Sequence, residues 1–205
     1  MKIVSATEAA EALQDGAVAL VPTETVVGLV AAESGLRRIQ EVKGRDPGKP
    51  VALLCVSAEE AFALAANVPP LAHKLSSLYW PGPLTLVLDL TGGGTVGVRV
   101  PQGQAVRAIL AAYGDPLYAT SANRSGEPAP RALEEVDPRI SEAVDLIVEG
   151  EPGSGEASAV VDLSGGKIHL LRPAAELTEG RLSRLATEAV EGIDHVPPPG
   201  GERAV

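Results

Sequence analysis

Aromatic and cysteine residues are scarce in this sequence of 205 residues. Aromatic side chains make up only 2% of it, so we expect neither a platform that stacks nucleic-acid bases nor an aromatic cage for a cation. The one cysteine, Cys55, lies in an apolar run and has no second cysteine with which to form a disulfide. We therefore expect Cys55 to pack in the core rather than to act in covalent catalysis.

Long hydrophobic runs and an excess of basic residues are also absent. The apolar runs are far shorter than the roughly 20 residues of a membrane-spanning helix, and the first residues lack the apolar segment of a secretory signal. These absences predict a cytoplasmic protein with no membrane segment. The net charge of −10 argues against nonspecific binding to duplex nucleic acid, because Lys and Arg contacts to phosphates supply most of that affinity.

Metal and P-loop motifs are missing too. The three histidines lie far apart and have no Cys or acidic partner at the short spacing of a metal site. No G-x-x-x-x-G-K-[ST] loop is present. We therefore expect no metal site built from protein side chains alone.

What the sequence does contain is enough apolar residues, 45% of the total, for the core of one large domain. Capping boxes, Gly and Pro stops and apolar periodicity predict helices at 6–15, 35–43, 58–66, 70–78 and 104–113. Apolar runs of strand length predict strands at 17–21, 50–56, 84–90, 96–100, 117–120, 146–148, 158–163 and 167–171.

The order of these elements predicts an α/β fold, a single domain on one large twisted mixed sheet with flanking helices. The sheet is expected to be mixed because the glycine-rich turn at 91–94 joins two adjacent strands as an antiparallel hairpin. Nearby, Trp80 lies in a Pro- and Gly-containing turn and is expected to be a buried anchor. The domain is expected to span residues 1–193, and the Pro- and Gly-rich residues 194–205 to form a flexible tail.

One segment of this acidic chain is locally positive. Residues 37–49 contain two acids and five basic residues, namely Arg37, Arg38, Lys43, Arg45 and Lys49. Basic groups gathered against the overall sign indicate an anionic ligand. The alternative is a helix C-terminus whose cations complement the helix dipole.

Polar residues also follow several predicted strands. Thr23-Glu24-Thr25 lies at a strand end, where ligands of open α/β sheets bind, although a threonine hydroxyl there could equally cap a backbone turn. Arg99 lies within a predicted strand and either pairs bidentately with a carboxylate or faces water. The segment 119–126 is rich in small hydroxyl and amide groups, typical of an anion nest or of a plain turn. Ser158 and Arg172 add a hydroxyl and a guanidinium at further strand ends.

Taken in order, these segments resemble the YrdC-type threonylcarbamoyl-AMP synthases of the short, single-domain branch. The resemblance covers about residues 5–180 and is carried by P-T-E-T-x-x-G-L at 22–29, K-G-R at 43–45, W-P-G-P-L-T at 80–85, V-R-V-P at 98–101, S-A-N-x-S-G at 121–126, S-x-V-V-D at 158–162 and L-R-P at 171–173. It implies a YrdC-like fold and a nucleotidyltransferase. That enzyme joins L-threonine, bicarbonate or CO2, and ATP with its Mg²⁺ into threonylcarbamoyl-AMP, and releases pyrophosphate.

The resemblance also implies roles for residues and partners. The catalytic tetrad would be Lys43, Arg45, Ser121 and Asn123. ATP would be bound by Arg45, Lys49, Thr95, Ser121, Asn123 and Arg172, and threonine by Thr25, Arg99, Ala119 and Ser158. The product would supply a downstream threonylcarbamoyl-transferase complex for tRNA threonylcarbamoyladenosine modification.

Three departures from the family pattern would each remove a polar group near the cavity. Val27 stands where a tyrosine is usual, Leu54 where some members have a histidine, and Ala129 where a serine is common. Two alternative functions stay open. One is a stand-alone relative of the hydrogenase-maturation carbamoyltransferase domain, which uses carbamoyl-phosphate-derived chemistry but normally carries acylphosphatase and zinc-finger segments that are missing here. The other is an RNA-binding module, which fits poorly with the net charge of −10.

Overall fold

The computed structural model of the protein describes residues 2–44 and 51–191. These residues contain ten strands: β1 (Lys2–Val4), β2 (Val18–Pro22), β3 (Val27–Ala31), β4 (Ala52–Leu54), β5 (Leu84–Asp89), β6 (Thr95–Arg99), β7 (Leu117–Ser121), β8 (Leu146–Val148), β9 (Ala159–Asp162) and β10 (His169–Arg172). They also contain seven α-helices: α1 (Ala6–Gln14), α2 (Leu36–Lys43), α3 (Ala58–Ala63), α4 (Pro70–Tyr79), α5 (Gln104–Tyr113), α6 (Pro138–Ser141) and α7 (Glu179–Glu191). In this part of the chain, no helix combines the length and the apolar character needed to cross a membrane.

All ten strands belong to one sheet with the order β1-β8-β2-β3-β7-β4-β6-β5-β9-β10. The pairs β1–β8, β2–β8, β4–β6 and β5–β9 are parallel. The other neighbouring pairs are antiparallel. The predicted α/β fold with one large mixed sheet and flanking helices is therefore confirmed.

Local sequence signals explain several boundaries. The Ser5 hydroxyl accepts from the Glu8 N–H and the Glu8 carboxylate accepts from the Ser5 N–H, so the predicted capping box starts α1. At α3 only half of the box forms. Ser57 accepts from the Glu60 N–H, but the Glu60 carboxylate accepts from the Val56 N–H instead of that of Ser57.

The predicted hairpin of β5 and β6 is confirmed, with Val87 opposite Gly97. Three successive glycines in its turn, Gly92, Gly93 and Gly94, have φ of 101°, 103° and 81°. Residues with a Cβ rarely adopt this backbone region, which explains the glycine run. Trp80, just before β5, is partly buried against the core and donates from Nε1 to the Leu84 carbonyl at 2.7 Å, as expected of an anchor.

Four elements were not predicted from the sequence: β1, β3, α6 and α7. The omission of β3 is the most consequential, because it lies between β2 and β7 near the middle of the sheet. The strand expected at 50–56 is Ala52–Leu54 in the described residues, while Pro50 lies outside them. The tail predicted at 194–205 also lies outside the described residues.

The two faces of β5 and β6 have different neighbours. Residues such as Leu86 and Val98 point into a core cluster shared with Leu75 of α4 and Leu182 of α7. The alternate residues point the other way and line an open cavity: Thr85, Val87, Thr95, Gly97 and Arg99. Because side chains alternate along each strand, one face of these strands packs into the core and the other lines the cavity and carries the polar groups.

Two further clusters cover the rest of the sheet. Helices α1 and α5 pack together, and their residues Leu13 and Ile109 join Val21 of β2 in one cluster. Ile39 of α2 and Ile140 of α6 join a second cluster around β2 and β3. This packing fixes the ends of β2, β3 and β7, where the candidate site lies.

Candidate functional site

Seven of the predicted site residues line one cavity of about 340 Å³ on the sheet. They are Thr25, Thr95, Arg99, Ala119, Ser121, Ser158 and Arg172. The described lining residues include two arginines and no carboxylate, although the chain as a whole has a net charge of −10. The cavity is therefore suited to an anionic ligand.

The segment after β2 is a tight turn held by threonine hydroxyls. The Thr23 hydroxyl accepts from the backbone N–H groups of Thr25 and Val26, both at 3.2 Å, and donates to the Val26 carbonyl at 2.7 Å. The turn interpretation thus holds for Thr23. The Thr25 hydroxyl lies 2.9 Å from that of Thr23 and also contacts Arg99, so it belongs to the cavity.

Arg99 pairs with a carboxylate and is buried, with only 8% of its surface exposed. Its Nη2 donates to Glu24 at 2.6 Å and to the Thr25 hydroxyl at 3.0 Å. Its Nε donates to the Gly82 carbonyl at 3.1 Å. Nη1 has no hydrogen-bond partner among the described residues, so two N–H groups of this cavity-lining cation are available to a ligand.

Ser158 and Arg172 form a second group on β9 and β10. Arg172 donates from Nε to the Ser158 carbonyl at 2.7 Å and from Nη2 to the Ser158 hydroxyl at 3.2 Å. The Ser158 hydroxyl lies 2.9 Å from that of Thr85. Partial burial, and secondarily the charge of Arg99, lower the pKa of Arg172 from its usual value. The positive charges of Arg99 and Arg172 repel each other, so a bound anion beside both of them is favoured.

Lys43, Ser121 and Asn123 meet at the edge of the same cavity. Lys43 ends α2 and is buried, with 4% exposed. Its ammonium group donates to the Ser121 hydroxyl and to the Asn123 side-chain oxygen, each at 3.0 Å, and to the Ser121 carbonyl. The Ser121 hydroxyl donates to the same Asn123 oxygen. Three members of the predicted tetrad are therefore joined by hydrogen bonds.

The remaining basic residues of segment 37–49 do not all point to this site. Arg37 forms an i,i+4 ion pair with Glu41 on the surface, and Arg38 pairs with Asp145 at 2.6 Å. Arg45 and Lys49 lie outside the described residues, so their predicted contacts to ATP stay predictions.

The loop before β9 was missed as part of the site. Its backbone N–H groups at Ser154 and Gly155 donate to the carbonyls of Glu24 and Thr25 at 3.0 and 2.8 Å. A Cβ at Gly153 would overlap the Thr25 carbonyl and lie 2.7 Å from that of Thr23. From the sequence, Glu151–Gly155 can be recognised only as a loop. Nothing in the sequence indicates that this loop contacts the threonine turn.

The three departures from the family pattern occupy different places. Val27 is fully buried in the core cluster with Val18 and Leu20, so its side chain does not line the cavity. Its neighbour Gly28 faces the cavity instead, because adjacent strand residues point to opposite faces. Leu54 does line the cavity, and Ala129 lies partly buried in the loop after β7.

Residues that could support other chemistry lie elsewhere. Cys55 is fully buried, and burial raises the pKa of its thiol to about 12, with a smaller effect from Glu60. The prediction that it packs in the core is confirmed. Across residues 2–44 and 51–191, no three His, Cys, Asp or Glu side chains come together as a metal-binding group.

Comparison with known proteins agrees with this geometry. The Sua5/YciO/YrdC family, described as telomere recombination, matches residues 11–174. A threonylcarbamoyl-AMP synthase of Pyrococcus abyssi is 36% identical over 178 residues, which cover 80% of this chain and 52% of that protein. One from Chromohalobacter salexigens is 31% identical over 172 residues, covering 78% of this chain and 93% of that protein.

A solved structure leads to the same family. The crystal structure of P. abyssi Sua5 complexed with L-threonine superimposes with a TM-score of 0.78 at 31% identity, covering 88% of this chain and 56% of that one. This chain thus spans about half the length of the Pyrococcus protein and most of the Chromohalobacter one. Sequence motifs, fold and similarity agree: the chain belongs to the Sua5/YciO/YrdC family.

Proposed function

We propose that the protein is an L-threonylcarbamoyladenylate synthase. It would join L-threonine, bicarbonate or CO2, and ATP into threonylcarbamoyl-AMP and release pyrophosphate. The observation that carries the proposal is a cavity whose described lining residues include no carboxylate, with a ligand-ready arginine, Arg99, and a lysine–serine–asparagine cluster beside Ser121 of its lining. Relatives that bear this enzyme's name support it.

The reaction has two bond-forming steps. The threonine amine attacks CO2, which forms an N–C bond and releases a proton, to give a carbamate. A carbamate oxygen then attacks the α-phosphorus of ATP, and the new P–O bond replaces the bond to the β-phosphate, so that pyrophosphate leaves. Negative charge grows on the phosphate oxygens and the leaving group, where fixed cations and N–H donors stabilise it.

The two groups of residues suit the two substrates. Arg99 would bind the threonine carboxylate through Nη1, beside Thr25, Ala119 and Ser158. Lys43 and Arg45 would neutralise the phosphates, while Ser121 and Asn123 orient them. Lys49, Thr95 and Arg172 would complete the nucleotide side. Holding both substrates in one cavity supplies much of the rate enhancement by proximity.

We place Mg²⁺ with the nucleotide. The described cavity residues offer hydroxyls and no carboxylate, which fits an ion carried by phosphate oxygens and water better than a protein cage. Such an ion, when bound, neutralises charge on the phosphates. The chain's own part is to position the phosphates through Lys43, Ser121 and Asn123.

The product defines the expected partner. Threonylcarbamoyl-AMP is a reactive mixed anhydride, so we propose that a threonylcarbamoyl-transferase complex consumes it to modify tRNA. Since ATP is a substrate and tRNA receives the threonylcarbamoyl group in the following step, we propose the cytoplasm as the place of reaction.

The test is pyrophosphate release from ATP with bicarbonate and Mg²⁺, in the presence of threonine, serine or no amino acid. Release that depends on threonine, with threonylcarbamoyl-AMP identified by mass spectrometry, is the expected result. No release with any amino acid would overturn the proposal. Tight, salt-sensitive RNA binding without turnover would favour the RNA-binding alternative instead.

A further inference from the structure

Glu24 contacts Arg99 from outside the cavity that binds the ligand. It is absent from the lining of that cavity and instead lines a neighbouring one of about 440 Å³, whereas Thr25 lines both. One carboxylate oxygen of Glu24 accepts from Arg99 Nη2 at 2.6 Å, and the other accepts from the Gly103 backbone N–H at 2.9 Å. The carboxylate therefore connects β6 to the start of α5.

These contacts leave the guanidinium one free edge. A guanidinium has five N–H groups. Gly82, Glu24 and Thr25 accept from the one on Nε and the two on Nη2. Only the two on Nη1 lack a partner among the described residues. A ligand carboxylate must meet Nη1, because the edge formed by Nε and Nη2 is already occupied.

Charge supports a role beyond packing. The side chains of Glu24 and Arg99 are 17% and 10% exposed, so solvent screens this pair only partly. Burial raises the pKa of the Glu24 carboxyl, but Arg99 and backbone N–H groups outweigh that effect and lower it overall. Glu24 therefore stays ionised at neutral pH and keeps one negative charge behind a cavity that contains two arginines.

We propose that Glu24 is a positioning residue for the amino-acid carboxylate: it holds the Arg99 guanidinium so that Nη1 points into the cavity. This inference rests on the proposed function for the identity of the ligand. It adds that the preference for a ligand with a free carboxylate depends on Glu24, which does not itself contact the substrate.

The test compares Glu24→Gln with the wild type and with Glu134→Gln as a matched control. A glutamine amide offers one acceptor oxygen where Glu24 uses two, so it cannot keep both contacts. Glu134 is exposed and its side chain makes no hydrogen bond or ion pair with the described residues, so its substitution removes the same charge without breaking such an interaction. Calorimetry would measure binding of L-threonine and of L-threoninamide, in which an uncharged amide replaces the carboxylate, and pyrophosphate release would give KM for threonine and for ATP.

We expect the wild type and the control to prefer threonine over threoninamide. In Glu24→Gln, threonine affinity should fall on the order of tenfold while threoninamide affinity changes little, so that the preference is lost. KM for threonine should rise more than KM for ATP. In an Arg99→Ala background, adding Glu24→Gln should not weaken threonine binding further, because both changes remove the same contact.

Other outcomes overturn the inference. An equal loss of affinity for threonine and threoninamide would assign Glu24 a purely structural role, as would an additive loss in the Arg99→Ala background. If Glu24→Gln does not fold, Glu24→Asp, which keeps the charge but is one methylene shorter, takes its place with the same expected loss of preference. If the wild type binds threonine but releases no pyrophosphate, the proposed function is rejected. The binding data alone then decide the role of Glu24.

Discussion

The ammonium nitrogen of Lys43, the last residue of α2, lies 3.0 Å from the hydroxyl oxygen of Ser121, the last residue of β7. The two residues are 78 positions apart in sequence. Their contact joins the end of a helix to the end of a strand, so the cation that completes α2 also organises the loop after β7. The helix-cap and ligand-site interpretations of Lys43 are therefore compatible.

Lys43→Ala should abolish pyrophosphate release and also weaken the fold. Because Lys43 is buried, the substitution leaves the Ser121 carbonyl and the Asn123 side chain without their charged donor. We expect a loss of about 1–3 kcal/mol in the free energy of unfolding, measured by urea denaturation. Lys167→Ala, which removes an exposed lysine, is the control and should change neither property. Normal turnover in Lys43→Ala would exclude this cluster from the site.

Arg99→Ala should raise KM for threonine far more than KM for ATP. The substitution removes the Nη1 donors from the cavity and leaves Glu24 as a buried carboxylate without its cation. We expect a rise of at least about tenfold for threonine in steady-state pyrophosphate release. A larger effect on ATP would mean that the two half-sites have been exchanged.

Gly153→Ala should weaken threonine binding without touching a ligand-binding side chain. The new Cβ would overlap the Thr25 carbonyl, so the loop or the threonine turn must move. We expect a loss of about 1–3 kcal/mol in unfolding free energy, along with weaker threonine binding by calorimetry. Gly180→Ala in α7, where a Cβ meets no atom within 4 Å, should be neutral or slightly stabilising. Equal behaviour of the two variants would contradict the proposed packing.

The single thiol offers a probe of the folded state. Thiolate is the reactive form, and burial raises the pKa of the Cys55 thiol to about 12, so the native protein should react very slowly with Ellman's reagent at mildly alkaline pH. In guanidinium chloride, one thiol per chain should react. Rapid reaction of the native protein would contradict the burial of Cys55.

Stability should fall in acid, in part through Asp145. Burial raises the pKa of this carboxyl, but hydrogen bonds from Arg38 and the Val18 N–H outweigh that effect and lower the pKa from its usual value. Because the folded pKa is the lower one, the unfolded chain takes up the proton first as pH falls. The contribution is present above about pH 4 and is lost as pH drops through the folded value.

Asp145→Asn tests this contribution. With solvent screening of a partly exposed pair, we expect a loss of about 1 kcal/mol near neutral pH that disappears in acid. Urea denaturation across the pH range measures it. Asp115 is exposed, and its side chain makes no hydrogen bond or ion pair with the described residues. Asp115→Asn should therefore show no such pH-dependent difference. An unchanged pH dependence in Asp145→Asn would be the contrary result.

Local signals in the sequence predicted most of the elements. The capping box at Ser5 started α1 as expected, and the glycine turn at 91–94 gave the hairpin of β5 and β6. The strand β3 was missed because it follows the threonine turn directly and contains Gly28, a residue that usually weakens a strand. Helix α7 was detectable, since Leu182 and Leu185 lie on one face at helical spacing and are buried.

The candidate site was less accessible to this reasoning. The sequence picked out Lys43, Arg99 and Ser121 by residue type and position. In the structure Arg99 and Ser121 line one cavity, and Lys43 donates to Ser121. The sequence did not indicate that Glu24 binds Arg99, because 75 residues separate them and only the pairing of distant strands brings them together. The role of Gly153 was hidden for the same reason, since the need for a small residue there arises from backbone far away in sequence.

The position of β8 has a consequence for how the protein is made. This strand, Leu146–Val148, lies between β1 and β2, although both of them precede it by a long stretch of chain. Until β8 emerges, one edge of β2 has no sheet partner, although all five of its residues are buried in the finished fold. An unpaired hydrophobic edge invites pairing between chains. During synthesis, one edge of β2 therefore stays open to pairing with another chain until β8 follows and covers it.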